Sequence, residues 1–592
     1  MSDFIYSSKI KPQGELTRHI QSIYHNDPPE VFEYHGAWGS LGVSRNLYNG
    51  FQPLETREHI FVIIGGPVLC FRDNMFLTGR DPVAGTKSIY ERWLDKKIQW
   101  DEDLSGPFVV LVLDKERMQI NCVTDLMMFI PVYKYPQNGQ LMLATHVDAL
   151  ARAAGEGQRV DYVSVVDFIL NDVVTYPYTT YTRIRQLHPA STHDFTAQAG
   201  NREVQVQEPK IYWLPREENP YSNINEAARD LRHGLTDYIN RITEGMDHVA
   251  QFLSAGEDSR SVAGMLPQRL KRDAFIFLDS MNREGHIARK VAHAYSANFF
   301  PQFRNQTHYL DILPEATDLI GNGHQYLHAH SLWFHKTCEL NHYSGVFGGY
   351  LADSLLKACY TNKIPKRIPF LPQCFIPGQS RTKLLANAFF KTDILRKIDL
   401  RRRSHFNNLL KYRKKTVHEW FVLWPATMRV AIPNLYSNRR LFRSYELFMC
   451  KEAVKVSSSV PTSWKLNRRL FYKAFQSYLK PSKWIIHAKG YLPYFPWWVN
   501  SPLQSIIWTS QQICYRTGIT KTNQGSWADY KRLMRSSEWI KAVENCSSGF
   551  DMLRRVTSND DLDQLFNGNK LRSIQKLNML QTCYFWKRLN ES

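Results

Sequence analysis

Between residues 61 and 146 short apolar runs are separated by polar breaks: FVIIG at 61–65, PFVVLVLD at 107–114, INCVTD at 120–125, PVYKY at 131–135 and LMLATH at 141–146. Runs rich in β-branched and aromatic residues and bounded by turn formers predict strands, so the region about 30–200 reads as an antiparallel β-rich layer with few helices. A helical stretch at 162–170 and a polar segment carrying Pro189 and Pro215 lead out of it. From about residue 225 the period changes. A helix (NEAARDLRHGLTDYINRIT), a strand (HVAQFL), a helix (SVAGML), a strand (DAFIFLD) and a helix (GHIARKVAHAYS) follow one another. Apolar strands alternating with helices predict a parallel, doubly wound sheet, whose ligands lie beyond the C-terminal strand ends. Residues 395–415 form a basic helical stretch, and the last 90 residues read as helical, ending in the amphipathic LRSIQKLNMLQTCYFWKRL. There is no internal repeat and no low-complexity tract.

At 592 residues the chain holds two or three domains with full cores. The longest apolar stretch, HIFVIIGGPVLCF at 59–71, is too short to cross a bilayer and is broken by Gly-Gly-Pro, so no membrane span is expected. MSDFIYSSKIKPQ lacks the apolar core of a signal peptide. Nine scattered cysteines with no CxxC pair fit free thiols in a reducing cytoplasm. Charge divides the chain: residues 361–592 hold 41 Lys and Arg against 13 Asp and Glu, whereas the first 360 hold 34 against 42. A basic half suits an anionic partner, and a solvated basic face explains it equally well.

The most specific local signal is AQFLSAGEDSRSVAGML at 250–266, an apolar strand running through a Ser/Gly turn into a helix. Amides of such a turn and of the first helical turn point at an anion, which the helix dipole also favours. A ligand-free strand–helix turn is the plain alternative. His324, His328, His330 and His335 cluster in GHQYLHAHSLWFHK, but without a paired acid or Cys at ligand spacing they read as half-buried helix residues rather than a metal site.

Segments along residues 38–500 resemble the asparagine synthetase family. In the first part, Gly50-Phe51-Gln52-Pro53 resembles its GxQP, Leu104-Ser105-Gly106-Pro107-Phe108 through Asp114 its LxGxFAxxxxD strand, and Thr124-Asp125 through Tyr133 its RDxxGxxPLYY. Leu143-Ala144-Thr145-His146 resembles FASE, and Ile184 to Pro189 the loop before the domain junction. In the second part, Phe252 to Ser261 resembles the pyrophosphate loop, and Ser344 to Tyr350 the second Gly-rich loop. Arg443 to Phe448, Val460-Pro461 with Lys465 to Arg469, and Ile485 to Phe495 resemble the PFLD, VPxxxK and RxKxGF segments. The resemblance implies an N-terminal-nucleophile-type α+β sandwich at 30–205, glutaminase-like. An adenine-nucleotide alpha-hydrolase-like (PP-loop) doubly wound parallel domain follows at 225–505, with a helical extension at 506–592.

Departures from the family pattern fall unevenly. The family's nucleophile is a cysteine in the second position, exposed by removal of the first methionine. This chain has Ser2 there, and the strand that would carry a nucleophile reads as starting only near Trp38. The Asn-Gly-Glu that holds glutamine corresponds to Gly65-Gly66-Pro67, and the acidic D-x-E to Gly85-Thr86-Lys87. Nucleophile and substrate grips are missing together, so the first domain is expected to be a scaffold without glutaminase activity. The second domain keeps more. The resemblance implies ATP and pyrophosphate binding by Ser254, Ala255, Gly256, Asp258 and Ser259, with Gly345, Gly348 and Gly349 in the second loop. It implies Mg²⁺ on Asp258, with Asp353 as a shifted second ligand or a plain surface residue. Ala255 stands where the family has Gly, which excludes a left-handed backbone there. Glu284 and Lys489 take catalytic positions, Lys489 opposing charge that develops on pyrophosphate and acyl-adenylate.

The implied function is an ATP-dependent, AMP-forming carbon–nitrogen ligase that adenylates a small-molecule or glycan carboxylate and transfers ammonia or an amine to it. Trp424, Trp464, Trp484, Trp497 and Trp498 among Arg and Lys suit a sugar acid of a surface polysaccharide, or else are core packing. Peptide or β-lactam-type cyclisation and a non-catalytic nucleotide- or partner-binding descendant are the alternatives. Nucleic acid is not expected as a partner, because no RNA-binding module is visible. A homodimer is one arrangement open to the chain.

Overall fold

The computed structural model describes residues 2–137, 139–197, 204–364, 372–374, 389–516, 525–558, 562–568 and 570–591. Its first strand, Phe4–Ser7, lies inside a six-stranded antiparallel sheet, paired on one side with Gly39–Ser44 and on the other with Gln140–Ala144. A second sheet runs Val204–Val206, Ser191–Ala197, Gln119–Thr124, Phe108–Asp114, His59–Gly65, Leu54–Glu55, with Lys210–Ile211 beside Ser191–Ala197. Alternation along Phe4–Ser7 shows how the layers meet. Phe4 and Tyr6 enter the large core shared with Ile60 to Ile64 of the second sheet, while Ile5 packs with Leu16, Ile20 and Leu150 of the covering helices Glu15–Gln21 and Val147–Ala153.

The layer therefore begins at Phe4 and not near residue 30 or Trp38. FIYS offers only two positions to each face and is flanked by Ser2-Asp3 and Ser8-Lys9, so its periodicity is too short to read. Position between two strands, rather than composition, buries Ser2 and Asp3.

The second domain is built on five strands, all parallel, in the order Asn298–Phe303, Lys271–Leu278, His248–Phe252, Val346–Gly348, Ser444–Glu446. The strand first in sequence is central, and the connections pass to opposite sides of it. The crevice between the ends of His248–Phe252 and Val346–Gly348 is thus the point where strand order reverses and ligands are expected.

The C-terminal segment is no appendage. Helix Trp497–Arg516 runs through the boundary expected at residue 506. Helix Ser573–Glu591 packs across both domains: the Asn578 amide donates to the Phe168 carbonyl at 3.3 Å, and the Gln581 amide to the His324 carbonyl at 2.7 Å. Among the described residues no helix is long and apolar enough to cross a membrane.

Candidate functional site

Strand His248–Phe252 ends in the turn Leu253 to Gly256, and helix Glu257–Met265 starts directly after it. Gly256 caps that helix without a side chain, which leaves the first-turn amides facing outward. The turn is tied to itself. Ser259 Oγ accepts from the Ser254 amide at 3.1 Å, and Ser254 Oγ accepts from the Gly256 amide at 3.0 Å. The Ala255 amide donates to Glu284 Oε1 at 3.2 Å, which brings the acid at the start of helix Arg283–Ala294 against the loop. Burial raises the Glu284 carboxyl, while that amide, Arg283 and Lys489 pull it back. Ala255 is fully buried and does not take a left-handed backbone, so the missing glycine leaves the turn unstrained.

The two Gly-rich segments meet because their strands are neighbours, with Ala250 opposite Val346. A Cβ on Gly349 would lie 3.1 Å from the Asp258 carbonyl carbon, so only glycine permits this closeness without displacement. Gly348 serves similarly, its missing Cβ leaving room for the buried Glu446 carboxylate, which accepts the Tyr350 amide at 2.9 Å. Gly345 abuts the Tyr445 ring.

Asp258 and Asp353 come together on one cation, and that cation is the ammonium of Lys357. Lys357 Nζ lies 2.6 Å from Asp353 Oδ1 and 2.8 Å from Glu257 Oε1, and it pairs with Asp258 as well. Glu257 also pairs with Arg468. Burial works against the Glu257 charge, but Arg468 and Lys357 hold its carboxyl down to about 2. Burial raises Asp258 to about 7; Lys357 pulls it back, and Asp353 and Glu257 add to the rise. Burial opposes the Lys357 charge as well, and the three carboxylates outweigh it, keeping the ammonium well above its ordinary value.

Lys489 reaches the site through a buried arginine. The Arg260 guanidinium donates to the Ala255 carbonyl at 3.0 Å, and to the carbonyls of Ile485 at 2.6 Å and Ile486 at 3.0 Å, which fastens segment 485–490 to the turn. The exposed Lys489 stands close enough to Glu284 and Asp353 for its charge to lower both carboxyls.

In front of the turn lies a cavity of about 420 Å³, floored by Phe275, Ile276 and Phe277 and edged by Ser254, Asp258, Ser259, Gly349 and Asp353. Arg304 and Arg429 line it too, and so does Trp527, from beyond the parallel domain. An apolar wall with polar groups gathered at one end, at this volume, is the shape of a small-molecule site, which spans roughly 300–1,000 Å³. The polar end offers two serine hydroxyls and a helix start without a side-chain cap, groups that can meet an anion.

Sequence reasoning misses Glu257, Lys357, Arg260, Arg304 and Trp527. Lys357 follows Asp353 by one helical turn, a spacing that announces an ion pair. The histidines have separate surroundings: His324 bonds the Tyr133 hydroxyl at 3.0 Å, His328 and His330 meet edge to face at 5.4 Å, and His330 lines the cavity. Burial pushes His324 and His328 down to about 3. Among the described residues no group of three or more His, Cys, Asp or Glu is arranged to hold a metal ion.

The first domain is closely packed around Ser2, Gly66 and Gly85. Asp3 Oδ1 accepts from Arg439 Nη2 and Arg440 Nη2, each at 2.7 Å, and the Ser2 carbonyl accepts from Arg439 Nη1 at 2.9 Å. The Ser2 hydroxyl is buried and has no hydrogen-bond partner among the described residues. Tyr48 lies flat on Gly66, where a Cβ would meet its ring at 2.1 Å, and its hydroxyl bonds the Ser444 carbonyl of the second domain. Phe51 and Phe76 crowd Gly85 in the same way.

Residues 79–213 match the family model of a glutamine amidotransferase domain. The chain thus carries an amidotransferase-type domain in its N-terminal part, followed by a parallel α/β sheet. No curated protein matches the chain. Among solved structures, the allosteric regulatory enzyme of purine biosynthesis is 10% identical and aligns over 51% of this chain and 80% of its own, with a TM-score of 0.25. Glutamine phosphoribosylpyrophosphate amidotransferase from B. subtilis, complexed with ADP and GMP, is 8% identical over 52% and 92%, with a TM-score of 0.21. At these scores neither carries an argument about this chain.

Proposed function

We propose that the chain is an asparagine synthetase-like enzyme that forms amides at the expense of ATP in its second, PP-loop-type domain. One observation carries the reading: the cavity at the reversal point of the parallel sheet ends on the turn 254–259, with Lys489 fastened beside it by Arg260. In this reading the apolar wall takes the base and sugar, and the first-turn amides of helix Glu257–Met265 with the Ser254 and Ser259 hydroxyls hold the phosphates. A carboxylate oxygen attacks the α-phosphorus and the bond to pyrophosphate breaks. Ammonia or an amine then attacks the acyl carbon, loses a proton, and AMP leaves. Lys489 opposes the negative charge that builds on the departing phosphates. Glu284 holds the turn through Ala255 and faces Lys489, placed to orient it. The acid we favour is a sugar acid of a surface glycan, ahead of a peptide or β-lactam precursor.

The close packing around Ser2, Gly66 and Gly85 supports a first domain that acts as a scaffold, so nitrogen arrives as ammonia or as an amine substrate. The test is pyrophosphate exchange into ATP with a panel of sugar and amino acids. Addition of ¹⁵N-ammonium or ¹⁵N-amide glutamine and mass spectrometry of the products follows. Acid-dependent exchange lost in Asp258→Ala, with label entering from ammonium, is expected; exchange unchanged in that variant sinks the reading. A non-catalytic nucleotide-binding role is favoured by the internal neutralisation of Asp258 by Lys357, and it predicts ATP binding without exchange under every acid.

A further inference from the structure

We propose that Lys357 is the resident cation of this site, so that the carboxylates of Glu257, Asp258 and Asp353 hold no divalent ion while its ammonium is in place. The inference deepens the nucleotide reading, which gives it its purpose, but the geometry stands without it. Three carboxylates from two separate elements, the start of helix Glu257–Met265 and helix Ala352–Leu356, converge on one nitrogen. An ammonium carries three N–H donors and no acceptor, and three carboxylates lie within ion-pair distance of it here. The ammonium also lies 4.5 Å from the centroid of the Phe471 ring, whose face attracts a cation. The side chain is only 10% exposed, and its departure would strand Asp258 and Asp353 and leave Glu257 to Arg468 alone.

Magnesium asks for about six oxygens at roughly 2.0–2.1 Å, several of them usually water. Here the position that the three carboxylates share is filled by the chain's own ammonium. Asp258 and Asp353 remain 22% and 58% exposed, turned toward the cavity where phosphates would lie. Their charge is offset before any nucleotide arrives. A triphosphate therefore meets a turn whose acids are already neutralised by a covalently attached cation, and any metal comes with the nucleotide and stays on it.

The test uses Mn²⁺ alone on the full-length protein, followed by electron paramagnetic resonance of the free ion, and then ATP by calorimetry with Mg²⁺ or with EDTA. Wild type is expected to bind no Mn²⁺ up to about 1 mM, a range that covers protein-held divalent sites. Lys357→Met, which keeps the stem and removes the charge, is expected to gain Mn²⁺ affinity by roughly tenfold or more, and Lys357→Arg to behave as wild type. ATP affinity should change less than about threefold on metal removal in wild type and more than about tenfold in Lys357→Met. Stoichiometric Mn²⁺ binding by wild type overturns the proposal without recourse to any variant, and so does a folded Lys357→Met with no gain. If ATP fails to bind wild type, the nucleotide reading falls, whereas the Mn²⁺ comparison still decides Lys357.

Discussion

Two strand ends in this molecule gather charge, and they are built to opposite purposes. At the start of Phe4–Ser7, Asp3 is enclosed by Arg439 and Arg440, with all three side chains at most 2% exposed. At the end of His248–Phe252, Glu257, Asp258, Asp353 and Lys357 form a comparable knot, but Asp258 and Asp353 stay in touch with a cavity of about 420 Å³. The first knot turns its charges on one another and joins two domains. The second keeps an open side. A buried charge cluster is a joint or a site according to whether a face of it remains free to meet something else.

The comparison breaks most visibly at Asp3. Asp3→Ala strands two buried guanidiniums, and the expected loss of stability is about 3–5 kcal/mol, read by urea unfolding. A loss below about 1 kcal/mol would mean that the joint is weaker than its geometry. Lys489→Ala should lower pyrophosphate exchange by roughly 10²-fold while leaving ATP affinity within about threefold, since its charge acts on developing phosphate charge and not on the ground state. An equal loss of both would move Lys489 into simple binding.

Acidity sharpens the contrast next. Burial raises the Asp3 carboxyl, but Arg439 and Arg440 outweigh it and hold the group well below its unfolded value of 3.8. Its stabilising contribution is therefore complete above that value and drains away as pH falls through the folded one. Melting curves of wild type and Asp3→Asn should differ most above about pH 4 and draw together as the pH falls below it. The smallest effect is expected at the cavity rim: Trp527→Ala should weaken ATP by roughly 1 kcal/mol, about fivefold, without touching stability.

Much of the second domain was legible in the chain. Its strands have apolar centres, Val249-Ala250 and Ala274 to Leu278, and the Ser/Gly turn 254–256 lies at the strand–helix junction that the pattern of residues indicates. Three features resisted reading, each for a physical reason. Phe4–Ser7 is too short for its alternation to register. Lys357 is one lysine in a basic half, and what singles it out is the convergence of an acid one turn before it with two acids about a hundred residues earlier. Helix Ser573–Glu591 has an evident apolar face, but nothing in one sequence says that both domains, rather than one, would cover it. Long-range partners are decided by topology, and topology is written in no short window.

The partners of Asp3 lie 436 and 437 residues further along the chain. During synthesis the first domain emerges with its innermost strand ending in an unmatched negative group, and the guanidiniums that answer it are made only after the parallel sheet is nearly complete. The two halves are therefore bound to one another from within: a fragment cut between them inherits a charged notch in its interior that only two arginines of the other half answer.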